Sequence, residues 1–172
     1  MKKSDTISFR LDNVVLDKLR RESEKQGLSI NILVNQILKR YTEWDMFESK
    51  VGMIPVARPI LDSLFKKLSR EEAIDLAKKV GSEIVEDIAT FMKGSMNLES
   101  FTSWFETRMH MSGFDINHNI KNDTHTYIIK HDLGENWSLY HRTVLELIFR
   151  NVLGKPISVE TNARMITLTF TV

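Results

Sequence analysis

Residues 6–11 constrain this chain more than any other stretch. Ile7, Phe9 and Leu11 alternate with Thr6, Ser8 and Arg10, the period-two pattern of a half-buried strand. The next strand-like pattern lies about a hundred residues further on, and a lone amphipathic strand with two unpaired edges is not stable in water. The economical solution is to pair with the same segment of a second molecule, as an antiparallel ribbon about a twofold axis. Ile7, Phe9 and Leu11 would then sit over the helices of both subunits, and Thr6, Ser8 and Arg10 would face outward.

Two helices are predicted next. Asp12 or Asn13 can cap the first, with Val15, Leu16 and Leu19 on one face, and Gly27 stands where a left-handed residue ends a helix. Ser29 caps the second, where Ile30, Leu33, Val34, Ile37, Leu38 and Tyr41 recur at helical spacing and the pattern runs on toward Trp44 and Phe47. A two-stranded ribbon fits the major groove of B-DNA, where arginine can bond guanine O6 and N7 together and Ser or Thr can donate or accept. The free N–H groups at the start of the second helix form a phosphate site.

From the alternating strand through the turn Gly27-Leu28-Ser29 to the apolar second helix, residues 4–46 resemble the ribbon-helix-helix superfamily of Arc/MetJ-type regulators. The resemblance covers about a quarter of the chain and rests on spacing rather than on an invariant motif. It implies that Thr6, Ser8 and Arg10 read bases and that Ser29, Ile30 and Asn31 hold phosphate through their backbone amides. Ser8 is shorter than the usual residue at the middle position, which shifts specificity toward Arg10.

Charge distribution agrees with a polyanion partner at this end. Residues 1–42 hold nine Lys and Arg against five Asp and Glu, a net +4, whereas the whole chain carries +1, leaving −3 for the remainder. Lys2 and Lys3 join the phosphate-contact candidates. An apolar share of 42% and a charged share of 27% exclude a disordered chain. No apolar run approaches a bilayer span and no signal-peptide core follows the N-terminus, so a cytoplasmic location with no membrane partner is expected. The absence of cysteine excludes disulfides, thiolate catalysis and Cys-based zinc sites.

Gly52, Pro55 and Pro59 mark a linker over residues 49–60, dividing a head, 1–48, from a C-terminal domain, 61–172. Ser69 and Glu72 form a capping box for a helix carrying Ala73, Ala77, Val80, Ile84, Ile88 and Met92. Asn97 caps another, with Leu98, Phe101, Trp104, Phe105 and Met109 inward. Residues 116–121 and 124–132 read as a hairpin around Asn122-Asp123. A helix over 137–153 follows, with Trp137, Tyr140, Val144, Leu147 and Ile148 on one side. A second hairpin over 156–161 and 165–172 closes the chain. The fold class is therefore α+β: a dimeric ribbon-helix-helix, a helical segment and a ββαββ antiparallel-sheet domain for sensing or oligomerisation.

The two-residue turn pairs Lys121 with Thr124 and hence His118 with Tyr127. His118, His125 and His131 then share one face of the hairpin. Imidazoles so placed can bridge to a metal ion, yet His118 opposite Tyr127 is equally a packed, hydrogen-bonded pair, and no metal or other cofactor is assigned. Trp104, Phe105, Phe114, Trp137, Tyr140 and Phe149 can line an effector pocket or simply form core. No catalytic motif is present, and an enzyme is not expected.

These features predict a homodimeric, sequence-specific DNA-binding transcriptional regulator, of repressor type, with double-stranded DNA, its own second copy and a small-molecule effector as partners. The alternatives are an antitoxin-type autorepressor that also binds a partner protein, and an α+β ligand-binding domain that uses the head only to dimerise.

Overall fold

The computed structural model describes residues 5–172. The chain divides between Phe47 and Glu48 into two compact units. In the first, α1 (Asn13–Gln26) and α2 (Ile30–Arg40) follow the expected pattern. The Asp12 carboxylate accepts from the Val14 amide at 2.7 Å, and Gly27 closes α1 with φ 66°. The second helix continues through a π turn (Tyr41–Asp45) into a short α3 (Met46–Glu48), and Trp44 is buried.

The expected strand over residues 6–11 is not formed. Residues 5–12 have no regular secondary structure, and Ile7, Phe9 and Leu11 are 71%, 58% and 44% exposed. The physical reason is the one that made the segment unusual: among the described residues of this unit there is no other strand to pair with, and a ladder needs one.

The second unit is mixed α and β. It opens with α4 (Arg58–Lys67), so the expected linker ends three residues early. Pro59 does not prevent this, because a proline in the first helical turn gives up only an N–H that has no intrahelical partner. Arg58 donates to the carbonyls of Ser112 (3.3 Å) and Gly113 (2.9 Å), tying the start of α4 to the turn after α7.

Next come α5 (Arg70–Leu76), with the expected Ser69/Glu72 capping box, a π turn (Ala77–Gly81) and α6 (Ser82–Lys93). The inward positions are Ala73, Ala77, Gly81, Val85, Ala89 and Met92, whereas Val80 and Ile84, expected inward, are exposed. Strict four-residue spacing drifts by about 40° per step on a regular helix. The π turn accommodates one extra residue and absorbs much of that drift, turning the inward face from Ile84 and Ile88 to Val85 and Ala89.

After α7 (Leu98–Met111) the period changes. Strands β1 (Asp115–Lys121), β2 (Thr124–Lys130), β3 (Ser158–Thr161) and β4 (Met165–Thr171) form one antiparallel sheet in the order β1-β2-β4-β3. Between β2 and β3 runs α8 (Gly134–Leu147), continued by a π turn (Ile148–Val152). The first hairpin turns at Asn122 and Asp123, φ 48° and 61°, and pairs Lys121 with Thr124 and His118 with Tyr127, the expected register. The third strand starts at Ser158, two residues later than expected, because Pro156 has no amide hydrogen for a ladder.

The helices cover one face of the sheet, α7 against β1 and α8 against β3 and β4. Tyr127, Ile129, Ile166, Leu168, Phe170 and Val159 meet Phe101, Trp104, Phe105, Ile148 and Phe149 in the core. On the other face, threonines pair across strands: Thr126 with Thr169 and Thr124 with Thr171, oxygens 3.4 Å apart in each pair. Among the described residues no helix is long and apolar enough to cross a membrane.

Candidate functional site

Three places in the molecule hold the residues to which the sequence assigns chemistry. The first is the N-terminal unit. Thr6, Ser8 and Arg10 are exposed in the extended segment before α1. Ser29 caps α2, its hydroxyl accepting from the Ile32 amide at 3.3 Å. That bond engages one first-turn amide, and Ile30 and Asn31 contribute the others that a helix start leaves without intrahelical acceptors. Lys2 and Lys3 lie outside the described residues.

This unit is unusual in its surface. Leu33, Trp44 and Ser23 are buried, while Ile7, Phe9, Leu11, Val14, Val15, Ile32, Ile37, Leu38 and Tyr41 are all exposed. Scattered apolar residues on a surface need no explanation, but nine large ones in under fifty residues, from a segment and both helices, do.

The second place is the histidine face of the β1–β2 hairpin. His118 Nε2 and His125 Nδ1 are 3.0 Å apart, and His118 Nδ1 lies 2.9 Å from Glu106 Oε1 on α7. Both nitrogens of His118 thus have partners, and its ring stacks on Tyr127 at 3.8 Å between centroids. Burial, reinforced by the Glu106 carboxylate, pushes the Tyr127 hydroxyl well above its ordinary range. The arrangement is the packed, hydrogen-bonded alternative.

His131 does not join this group and is corrected as a metal candidate. It lies past the end of β2, buried against Trp137. Its Nδ1 accepts from the Leu133 amide at 3.3 Å, so Nε2 carries the proton and donates to Ser138 Oγ at 2.8 Å. Ser138 in turn donates to the Asn162 carbonyl at 2.7 Å. Burial pushes His131 down to about 4. With both ring nitrogens committed, it has no lone pair for a metal. Among the described residues no three His, Asp or Glu side chains are grouped to hold a metal ion.

The third place is a cavity between α6, α7 and α8, and it was only partly foreseen. Trp104, Phe105 and Tyr140 line it as the effector-pocket reading expected, whereas Phe114, Trp137 and Phe149 do not. Phe114, in the turn between α7 and β1, packs on Trp137 instead, and the buried Phe149 packs against Phe170 of the sheet. Arg108 and His141 also line the cavity, and sequence reasoning missed both. The available signal was spacing: Arg108 falls four residues after Trp104 and His141 four after Trp137, polar residues set on apolar helical stripes.

His141 Nδ1 donates to the Trp137 carbonyl at 3.1 Å, and burial, with the Arg108 charge adding to it, pushes the imidazole down to about 3. The Arg108 guanidinium lies over the Trp104 ring, 5.2 Å from its centroid, and burial lowers it from its ordinary range. No known family model matches the chain, and no curated protein matches it significantly, so the site geometry and the sequence pattern carry the functional reading.

Proposed function

We propose that this protein is a homodimeric, sequence-specific DNA-binding regulator whose N-terminal unit completes a ribbon-helix-helix fold only with a second copy. The observation that carries the reading is the exposed apolar set of that unit, Ile7, Phe9 and Leu11 above all, in an unpaired segment with strict strand alternation. A partner strand would satisfy its backbone, and the partner's helices would cover its apolar face. Burying an exposed Leu, Ile or Phe stabilises by about 1.5–3 kcal/mol, so a few such residues per protomer suffice to hold a dimer. In that ribbon Thr6, Ser8 and Arg10 point away from the helices toward a major groove, and the α2 amides at Ser29, Ile30 and Asn31 take phosphate. The second unit supplies sensing or further oligomerisation.

The test is selection of genomic DNA by the purified protein, followed by binding of the selected and a scrambled duplex at several salt concentrations. Arg10→Ala should cost about 1–3 kcal/mol per lost guanine contact, tenfold or more in affinity, concentrated at particular base pairs. Lys2→Ala and Lys3→Ala should instead weaken all sequences alike and flatten the salt dependence by about one unit per phosphate contact removed. An unchanged specificity ratio in Arg10→Ala would remove the strand as the reading element. Failure to retain any DNA at low salt would favour the reading in which the head only dimerises.

A further inference from the structure

The two edges of the sheet are not alike. In the order β1-β2-β4-β3, the outer strands β1 and β3 each have one neighbour. Strand β3 is guarded: it is four residues long, follows Pro156 and carries Glu160. Short strands, prolines and charges are the devices that keep an edge from pairing. Strand β1 is seven residues long and has no proline, and its carboxylate and its ammonium, Asp115 and Lys121, stand at its two ends. Its middle is unguarded.

The ladder fixes which backbone groups that edge presents. The Val172 amide donates to the Asp123 carbonyl at 3.1 Å, and the His131 amide donates to the Arg164 carbonyl at 2.9 Å. Residues 125, 127 and 129 of β2 therefore bond β4, and residues 124, 126, 128 and 130 bond β1, because an antiparallel strand alternates between its two sides. Through the pairing of Lys121 with Thr124, Asp115, Asn117, Asn119 and Lys121 are engaged by β2. The N–H and C=O groups of Ile116, His118 and Ile120 point to the open edge, and among the described residues nothing pairs with them. Ile120 lies on the helix-covered side of the sheet, opposite His125, yet is 62% exposed.

We propose that β1 is an interface between two copies of this chain, paired antiparallel, edge to edge, about a twofold axis at His118. The strand is self-complementary in that register. Asp115 of each copy opposes Lys121 of the other at both ends, Ile116 opposes Ile120, Asn117 opposes Asn119, and all seven residues are matched. Any other register that joins the three outward residues leaves strand ends unmatched and separates the opposite charges. Opposite charges facing one another across strands stabilise a pairing, and like charges oppose it. Each outward residue meets an outward residue of the other copy, so every such pair exchanges two backbone hydrogen bonds. Ile120 gains an apolar neighbour in Ile116 of the other copy. His118 leaves room for its mate, because its ring leans back over Tyr127 and toward His125, both on β2. The product is one continuous sheet, with both sets of helices on one side and the threonine pairs on the other. Every residue involved belongs to the second unit, so this interface goes beyond the reading of DNA by the first.

Hydrogen exchange of the full-length protein, read residue by residue by NMR over a concentration series, tests the interface. The amides of Ile116, His118 and Ile120 should exchange at least roughly tenfold more slowly at high than at low micromolar concentration, since in a single copy they face water. Ile120→Pro deletes only an outward N–H, which an edge strand tolerates. It should remove the protection of Ile116 and His118 while the β1–β2 ladder stays protected. Lys121→Glu sets like charges opposite one another twice and should weaken association about fivefold or more; adding Asp115→Lys should restore it to within about twofold. In Phe9→Ala protein, where the proposed head contact is weakened, all of these β1 effects should persist, which separates failure of the head dimer from failure of this interface. If Ile120→Pro does not fold, the exchange rates and the charge reversal decide the matter. A monomer throughout the concentration range would overturn the proposal. So would fast exchange at all three amides in associated protein, association of Phe9→Ala protein that Ile120→Pro leaves unchanged, or a double charge reversal that restores nothing.

Discussion

Acidification should destabilise the second unit through His131, and by a calculable amount. The imidazole is neutral and fully committed: Nδ1 accepts from the Leu133 amide and Nε2–H donates to Ser138. A second proton would have to sit on Nδ1, facing an N–H. Its folded value of about 4 lies below the ordinary 6.5. The unfolded chain therefore takes up the proton first, and the stability present above pH 6.5 is lost as pH falls toward 4. A gap of that size corresponds to about 1.1 kcal/mol per pH unit between pH 6 and 5, and about 2 kcal/mol between pH 7.5 and 5. His141, pushed down to about 3, acts in the same direction over the same window.

Urea unfolding of Trp44→Phe protein, which leaves Trp104 and Trp137 as reporters in the second unit, measures this at pH 7.5, 6.5, 5.5 and 5.0. Carboxylates titrate mainly below that range. Comparing His131→Asn with its parent isolates one histidine: the variant should be less stable at pH 7.5 but lose roughly 1 kcal/mol less per pH unit below 6. A variant whose pH slope equals the parent's, or a parent that gains stability on acidification, would refute the buried neutral histidine.

Three further outcomes test other parts of the structure. Gly81→Ala should lower Tm by several degrees, because an added Cβ would lie 2.5 Å from Val144 Cγ2 and 2.9 Å from the Tyr140 hydroxyl; overpacking of this kind costs about 1–3 kcal/mol, more than the helix gains from losing a glycine, and a Tm equal to the parent's would contradict the close approach of the Ala77–Gly81 π turn to α8. Phe9→Ala should abolish or sharply weaken the proposed dimer in sedimentation equilibrium, and an unchanged dissociation constant would place the interface elsewhere. Ser29→Ala removes the acceptor of the Ile32 amide and should destabilise α2 by about 1 kcal/mol in chemical denaturation; a neutral result would mean that water caps the helix equally well.

Local punctuation was legible in the sequence to a large extent. Asp12, Ser29, Ser69 and Asn97 cap the helices they precede, and Gly27 and Gly94 end theirs in the left-handed region. Asn122-Asp123 set the register that places His118 beside Tyr127. The facing of α6 was not legible, since a π turn leaves no signature in a pattern assumed to repeat every 3.6 residues. The cavity was half legible: its aromatic residues were marked, but Arg108 and His141 depend on three helices meeting, and neither has a partner close in sequence beyond its own helix.

The sequence by itself determined the helix caps, the hairpin turn at Asn122-Asp123 and the inward face of α7, because these depend on interactions among residues a few positions apart. Only the tertiary structure decided that the sheet runs β1-β2-β4-β3, that His131 belongs to a hydrogen-bond chain with Ser138 and Asn162, and that α6, α7 and α8 meet around the apolar cavity that Trp104 and Tyr140 line. Those outcomes join residues up to about forty or fifty positions apart, and one-dimensional periodicity holds no information about which distant faces meet. Residues 6–11 fall under neither heading. Their alternation is written in the sequence, but a strand needs a ladder, and among the described residues of the N-terminal unit there is no other strand to form it.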